Sequence, residues 1–480
     1  MRGVKYILIP AGILVLIAVA GAFDLFEKES DDYNVLIIVI DTLRADHLST
    51  YGYFRETSPN IDEFAAESIK FNNHFCQIPF TPPSHWSIFT GLYPHTHNIA
   101  AYNWNQNPNH NWTNFTRPQI NRSDWNRTIR PPVNWSQFNR TNVSTLVRNN
   151  TVMLEQIINR TKGFPILPFI LKDEGYKTAA FVSSGMVGTL EAVFEEWTFN
   201  EERSGTGFRK TTDDAIAWLE ENKDEKFFLW VHYWDVHQPY QPIPEYDIFE
   251  DEKKDKYSSA RYDGEIRYVD HKIGQLLDKI DELGLKENTI VIITGDHGEM
   301  FGEYNCRDFT GKNTPCTGHY VSLYNPETYV PLIIRVPGVE AKQINSITQS
   351  VDLAPTIVEL LDAEVDDVNT SFEGYSLLPL INDEERQYEF AFSELRKGGS
   401  YSKSLMVPGW KLMLIENNGG KIVRLYDMEK GEDEDFSQSE QEIASELIIE
   451  MDNLMKGKEL ENAEPDEETK KMLRSLGYVS

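Results

Sequence analysis

Cysteine is scarce in this chain. Only Cys76, Cys306 and Cys316 occur in 480 residues, too few for a disulfide scaffold and without the paired spacing of a zinc finger. Basic residues are also in deficit, 46 Lys plus Arg against 76 Asp plus Glu, for a formal charge of −30. A surface of that balance repels phosphate backbones, which excludes general nucleic-acid binding. Apolar residues are not lacking: 40% hydrophobic and 12% aromatic content suffices for a large core and excludes global disorder. The length admits either several ordinary domains or one large α/β core with a smaller appendage.

The N-terminus carries an uncharged run, Tyr6 to Phe23, preceded by Arg2 and Lys5 and followed by Asp24 and Glu27. As a helix it spans about 27 Å, close to the hydrocarbon thickness of a bilayer. Basic flank in and acidic flank out predicts a single-pass anchor that leaves the rest of the chain outside the cell membrane. The small residues Ala18-Val19-Ala20-Gly21-Ala22 also fit a cleaved signal and a secreted product. Both readings export the protein. In an oxidising compartment Cys306 and Cys316 either close a small loop or remain inert thiols.

Residues 34–41, NVLIIVID, form a continuous apolar run ending in an acid, the pattern of a strand buried on both faces of a parallel sheet. Similar runs recur at Thr178 to Val182, Phe227 to His232, Thr289 to Asp296 and Pro331 to Val336. Helical patterns lie between them at Asn60 to Ser68, Thr212 to Asn222, Ala260 to Leu283 and Val351 to Leu361. This alternation predicts a doubly wound, mostly parallel α/β sheet, with ligands gathered at the carboxyl ends of the strands. Asp41 and Asp296-His297 occupy such ends. After about residue 385, short segments such as Lys411 to Ile415 and Ile422 to Tyr426 predict a small antiparallel sheet followed by acidic helices. The expected division is 1–27 anchor or signal, 28–385 catalytic domain, and 386–480 C-terminal α+β subdomain.

Residues 101–161 differ in composition from the rest. They hold nine Asn-x-Ser/Thr acceptors, at Asn111, Asn114, Asn121, Asn126, Asn134, Asn139, Asn142, Asn149 and Asn159, and a further one lies at Asn369. Such acceptors are used only on exported surfaces. Seven arginines make the insert basic, with Trp104, Trp112, Trp125 and Trp135 interleaved. It reads either as a basic aromatic lip for an anionic or sugar-containing substrate, or as a glycosylated loop whose arginines pair with the acidic body.

Several segments together resemble the sulfatase branch of the alkaline phosphatase superfamily: NVLIIVIDTLRADHLSTYGY (34–53), SPNIDEFAAESIKFNNHF (58–75), TPPSHWSIFTGLYPHTHNI (81–99) and TIVIITGDHGEMFGE (289–303). YVPLIIRVPG (329–338), SVDLAPTIVELLD (350–362), FEGYSLLPLI (372–381) and LYDMEKGEDED (425–435) follow in the family's order. The resemblance implies an alkaline-phosphatase-like fold and one divalent metal ion, Ca2+ by family, with Mn2+ or Zn2+ admitted by an imidazole ligand. It assigns Asp41, Thr81, Asp296 and His297 to that metal. It places Thr81 at the nucleophile position, within the pattern C/S-x-P-S-R…T-G.

The departures carry information. Family members oxidise Cys or Ser at this position to formylglycine, an aldehyde; threonine bears a methyl on that carbon, so no formylglycine is expected at Thr81. A covalent Thr81 intermediate is resolved by a second attack at the central atom, a familiar route for phosphorus. In this the site is similar to lipoteichoic acid synthases and nucleotide phosphodiesterases. His85 stands where sulfatases usually have Arg, and Thr42 where many have a second metal-binding Asp. FVSSG (181–185) replaces a segment in which many have Lys and His. His237, which resembles the family's leaving-group histidine, and His319, near the usual position of a Lys, are the compensating candidates, with His85 and His232 behind them.

The expected activity is an exported, metal-dependent hydrolase of a sulfate or phosphate ester on a glycan, lipid or small molecule. Alternatives are a phosphotransferase or phosphodiesterase acting on envelope glycans or lipids, and a surface glycoprotein that binds anions without turnover.

Overall fold

The computed structural model describes residues 33–99, 163–200, 210–250, 259–307, 313–365, 371–386, 388–417, 419–457 and 467–476. The apolar run at 6–23, the insert at 101–161 and the acceptor at Asn369 lie outside them. Among the described residues no helix is long and apolar enough to cross a membrane.

The strands, in chain order, are β1 (Asn34–Ile40), β2 (Ile69–Phe75), β3 (Lys177–Val182), β4 (Glu196–Phe199), β5 (Phe227–Tyr233), β6 (Thr289–Gly295), β7 (Met300–Arg307), β8 (Asn313–Gly318), β9 (Leu332–Arg335), β10 (Lys342–Gln349), β11 (Ala391–Lys397), β12 (Ser400–Val407), β13 (Trp410–Asn417) and β14 (Gly420–Asp427). The main helices are α1 (Pro59–Ala66), α2 (Thr81–Thr90), α3 (Leu167–Asp173), α4 (Thr211–Asn222), α5 (Ala260–Glu282), α6 (Leu353–Leu360), α7 (Gln441–Met455) and α8 (Glu467–Leu476).

An eight-stranded sheet of order β10-β2-β9-β6-β1-β5-β3-β4 forms the centre. β1, β5 and β6 are buried throughout, because each is covered by helices on both faces. Alternation along β1 sorts its side chains between two cores. Val35, Ile37 and Val39 pack with Trp86 and Phe89 of α2, Leu167 and Leu171 of α3 and Ile357 of α6. Leu36, Ile38 and Ile40 pack with Phe64 of α1, Leu219 of α4 and Tyr262, Ile266 and Ile273 of α5. The expected doubly wound sheet is therefore present.

Direction is where the expectation needs correcting. The run at Pro331 to Val336 looked like its parallel neighbours, but β9 runs antiparallel to both β2 and β6. Burial on both faces produces the same apolar pattern whichever way a strand runs. β2, β4 and β10 escaped detection because they lie toward the rims and carry polar residues, as in IKFNNHF and KQINSITQ.

The hairpin β7–β8 was also not anticipated. Its register sets Met300 opposite Gly318, so the chain leaves the end of β6 and returns beside it. Cys316 on β8 is disulfide-bonded, whereas Cys76 is a free, buried thiol and is not its partner.

β11 to β14 form an antiparallel sheet. One face packs against Leu447, Ile448 and Met451 of α7 and Leu473 of α8, and joins Tyr93 and Val351 of the main core. A buried ion pair adds a polar tie between the two sheets. Lys411 Nζ lies 2.7 Å from Glu432 Oε1 and donates to Asn325 Oδ1 at 2.8 Å, while the Asn325 N–H donates to Glu432 Oε2 at 2.8 Å. Removing one member strands the other charge. Lys411→Ala is expected to lower unfolding free energy by about 3–5 kcal/mol in a denaturant melt, and the double change Lys411→Met with Glu432→Leu to recover most of it. A loss below about 1 kcal/mol in the single variant would show that the pair contributes little.

Candidate metal and nucleophile site

The register of the central strands builds the site. Ile40 of β1 pairs with Gly295 of β6 and with Tyr233 of β5, so the residues that follow emerge side by side. Asp41 N–H donates to the Tyr233 carbonyl at 2.8 Å, and Asp296 and His297 step off the end of β6 next to it.

Helix α2 brings the hydroxyl. Thr81 is its first residue, and Pro82 and Pro83 follow at positions where a missing N–H costs no helical hydrogen bond. One turn on, Ser84 Oγ donates to the Asp296 carbonyl at 2.6 Å, which locks the helix start to the strand end. His85 Nδ1 donates to the Thr81 carbonyl at 2.8 Å. The helix ends at Thr90, where Gly91 adopts φ +60° and a side chain would meet Phe372 at 2.7 Å.

Four residues meet here. Thr81 Oγ1 lies 3.2 Å from His297 Nε2 and 3.5 Å from Asp41 Oδ1. His297 Nε2 lies 3.5 Å from Asp296 Oδ2 and 3.9 Å from Asp41 Oδ1. Ligand atoms of Asp41, Asp296 and His297 all fall within 4.8 Å of one another, and all three residues are fully buried.

The donor chemistry fits a divalent cation. Asp296 Oδ1 accepts from the N–H groups of Thr42 at 3.0 Å and His297 at 2.7 Å, but its Oδ2 has no hydrogen-bond partner, and neither has Asp41 Oδ2. Burial, followed by the charges of Asp296 and Glu299, holds the Asp41 carboxyl well above the usual carboxylate range; burial raises that of Asp296 too. His297 donates its Nδ1 proton to the Gly298 carbonyl at 2.9 Å, leaving the Nε2 lone pair toward the cluster, as metal-binding histidines do. Two buried carboxylates with one unprotonated imidazole nitrogen are a donor set that could hold a divalent cation.

Thr42 does not replace the second aspartate. Its φ of +58°, unusual for a β-branched residue, is held by Tyr262 donating to its carbonyl at 2.7 Å, and its Oγ1 donates to Val236 O at 3.1 Å. The side chain is therefore committed elsewhere, and only the backbone N–H serves the site.

The hairpin delivers His319 beside Glu299. His319 Nδ1 lies 3.0 Å from Glu299 Oε2, and its ring packs 4.7 Å from His297 and 4.8 Å from His237. Burial lowers the His319 pKa, but the bond to Glu299 and the surrounding carboxylates outweigh it and leave the value raised. His237 is half-buried on Trp234, with Nδ1 2.7 Å from the Gln238 carbonyl; burial and its neighbour His319 push it down to about 3. His85 and His232 stand behind the cluster, Nδ1 of His85 3.7 Å from Asp296 Oδ2 and Nε2 of His232 3.9 Å from Asp41 Oδ2.

Glu299 is the residue of this candidate site that sequence reasoning missed. It is fully buried, accepts from His319 and from Gln238 Nε2 at 3.0 Å, and its carbonyl takes Arg44 Nη1 at 3.0 Å. Its signal was its place three residues after Asp296, though acids are common in this chain. Gly298 between them is sterically required: a Cβ there would lie 2.0 Å from the Pro326 carbonyl oxygen.

A family model described as Sulfatase matches residues 33–117 and 134–363. The arylsulfatase of Clostridium perfringens is 23% identical over 450 residues, covering 83% of this chain and 88% of that protein. A phosphonate monoester hydrolase of Agrobacterium radiobacter superposes with a TM-score of 0.59 at 16% identity, covering 88% of this chain and 96% of that one. A structure solved with its substrate D-glucosamine-2-N,6-O-disulfate gives 0.62 at 17% identity, covering 90% and 100%.

A cation that binds only the folded protein raises its stability by mass action, about 2.7 kcal/mol at a hundredfold excess over Kd. Adding divalent ions to chelator-treated protein is expected to raise Tm in the wild type and to leave Asp296→Ala unmoved. Equal shifts in both would remove Asp296 from the ligand set.

Proposed function

Given that the chain belongs to the sulfatase family and is an ester hydrolase with an alkaline-phosphatase-like fold, we propose that it cleaves a sulfate or phosphate ester by direct attack of Thr81 in a divalent-cation site formed by Asp41, Asp296 and His297. The observation that carries this reading is the position of Thr81 Oγ1, at the N-terminus of α2 and within 3.5 Å of both Asp41 and His297. A bound divalent ion supplies positive charge that lowers the hydroxyl pKa and neutralises the ester's oxygens.

The residues perform the remaining work. With its proton released to solvent, Thr81 Oγ1 attacks the central atom; the Oγ–S or Oγ–P bond forms as the bond to the leaving oxygen breaks. His319, oriented through Nδ1 by Glu299, protonates that oxygen from Nε2. His237, with its Nδ1 on the Gln238 carbonyl, lines the approach. Water then attacks the same central atom, releases the anion and restores Thr81. No aldehyde route is open, because oxidation of threonine yields a ketone.

Relatives and neighbours include enzymes named for sulfate and for phosphonate esters, and one neighbour holds a sulfated amino sugar. A sulfated or phosphorylated glycan is the substrate class we favour; the nucleophile chemistry favours phosphorus equally. Export to the outer face of the cell membrane, tethered by Tyr6 to Phe23, is supported by the acceptors in the insert and by the disulfide at Cys316.

The deciding experiment compares an aryl sulfate, an aryl phosphate and a bis-aryl phosphodiester across several divalent metals, with Thr81→Ala alongside. Turnover of one ester class, lost at least about a thousandfold in Thr81→Ala, is expected. Silence on every substrate would favour an anion-binding glycoprotein. His319→Ala is expected to lose about 10²–10⁴ in kcat on esters with poor leaving groups and much less on nitrophenyl esters. A uniform loss across leaving groups would remove His319 as the acid.

A further inference from the structure

Glu327 is fully buried and takes no part in the proposed chemistry. It belongs to the short helical turn Asn325–Thr328, which is held on two sides. The Asn325 N–H donates to Glu432 Oε2 at 2.8 Å in the C-terminal subdomain, and the Thr328 carbonyl accepts from the Cys76 N–H at 2.9 Å just past β2. From this fixed piece Glu327 reaches both halves of the candidate site. Its carbonyl accepts from the Gly298 N–H at 2.9 Å, one residue after His297. Its carboxylate accepts from the Val321 N–H at 3.1 Å and from Ser322 Oγ at 2.6 Å, two and three residues after His319.

The segment that Glu327 holds is strained. Tyr320, next to His319, has φ +60°, a left-handed conformation that is costly for a bulky residue. Such a conformation persists only where the surroundings over-determine it, and residues held this way gather at functional sites. The Lys397 ammonium donates to the Tyr320 carbonyl at 2.9 Å, the Tyr320 hydroxyl donates to the Arg396 carbonyl, and its ring packs 4.7 Å from that of Phe80, the residue before Thr81. Those two hydrogen bonds are exposed, whereas the Ser322 bond to Glu327 is buried. A buried carboxylate costs desolvation that an apolar side chain avoids, so packing alone does not account for Glu327.

We propose that Glu327 is a positioning residue for the leaving-group acid: by tying Val321 and Ser322 to the turn that also holds Gly298, it sets His319 in its place between Glu299 and His297. The inference rests on the reading of His319 as that acid and adds the residue that places it. Glu327 acts through its length rather than its charge. Gln replaces it, since its oxygen accepts from the Val321 N–H while its nitrogen donates to Ser322 Oγ. Asp keeps the charge but is one methylene shorter, and does not.

The test compares Glu327→Gln and Glu327→Asp in the full chain, on a nitrophenyl ester and on an ester with a poor leaving group. Glu327→Asp is expected to lose at least about tenfold in kcat on the poor leaving group, with KM and nitrophenyl turnover within about twofold of wild type. Glu327→Gln is expected to stay within about threefold on both esters. In NMR of protein labelled with 15N-histidine, the His319 Nδ1–H resonance bonded to Glu299 is expected to persist in Glu327→Gln and to shift or broaden in Glu327→Asp. Equal losses in the two variants, or a Glu327→Asp protein that keeps both the activity and the resonance, overturns the assignment. Loss of the cation-dependent rise in Tm in Glu327→Asp also overturns it, because the backbone bond to Gly298 does not depend on the side chain. If His319→Ala loses equally on both esters, the acid reading falls by itself, and the resonance still decides whether Glu327 places the ring.

Discussion

Two carboxylates, Asp41 and Asp296, are forced together at the end of in-register parallel strands, buried from solvent and with one oxygen each unpaired. Among the described residues neither has a lysine or arginine partner. Like charges this close in a low-dielectric interior are costly, and a divalent cation removes the cost. Much of the surrounding architecture is arranged around that requirement: the Thr42 and His297 N–H groups saturate the inner oxygen of Asp296, Ser84 fixes the strand end to α2, and His297 turns a lone pair inward. Thr81 then sits where the charge can act on its hydroxyl.

The parts that reach this centre from elsewhere do so through devices of different kinds. α2 is placed by packing, since Trp86 and Phe89 insert into the core beneath it. His319 is placed by the turn-back of β7 and β8, which sets it against Glu299. Beyond them, the C-terminal sheet is tied through Lys411, Glu432 and Asn325 to the turn whose Pro326 carbonyl leaves no room for a side chain at Gly298. The appended sheet thus supports the loop that carries Asp296 and His297.

Legibility in the sequence followed burial. Asp41, Asp296 and His297 were visible because each ends an apolar run too long and too uniform to be anything but a buried strand, and in such sheets strand ends hold ligands. Thr81 was visible through the proline-rich helix start and the resemblance that it carries. Strand direction was not visible, because β9 is as apolar as β6. The geometry of His319 was hidden in a hairpin whose strands are polar; the spacing of Cys306 and Cys316 was its single trace. Glu299 acquires meaning only from a partner twenty residues away: an acid in an acidic chain looks ordinary until His319 is set beside it.

Direct attack by an unmodified threonine is the claim on which the chemistry stands. Rapid quenching of a single turnover with an activated ester, followed by peptide mass analysis, tests it most directly. A Thr81 enzyme gives an unmodified Thr81 peptide before mixing and the same peptide bearing one sulfuryl or phosphoryl group during turnover. A Thr81 peptide that stays unmodified while product accumulates would contradict covalent catalysis at this residue.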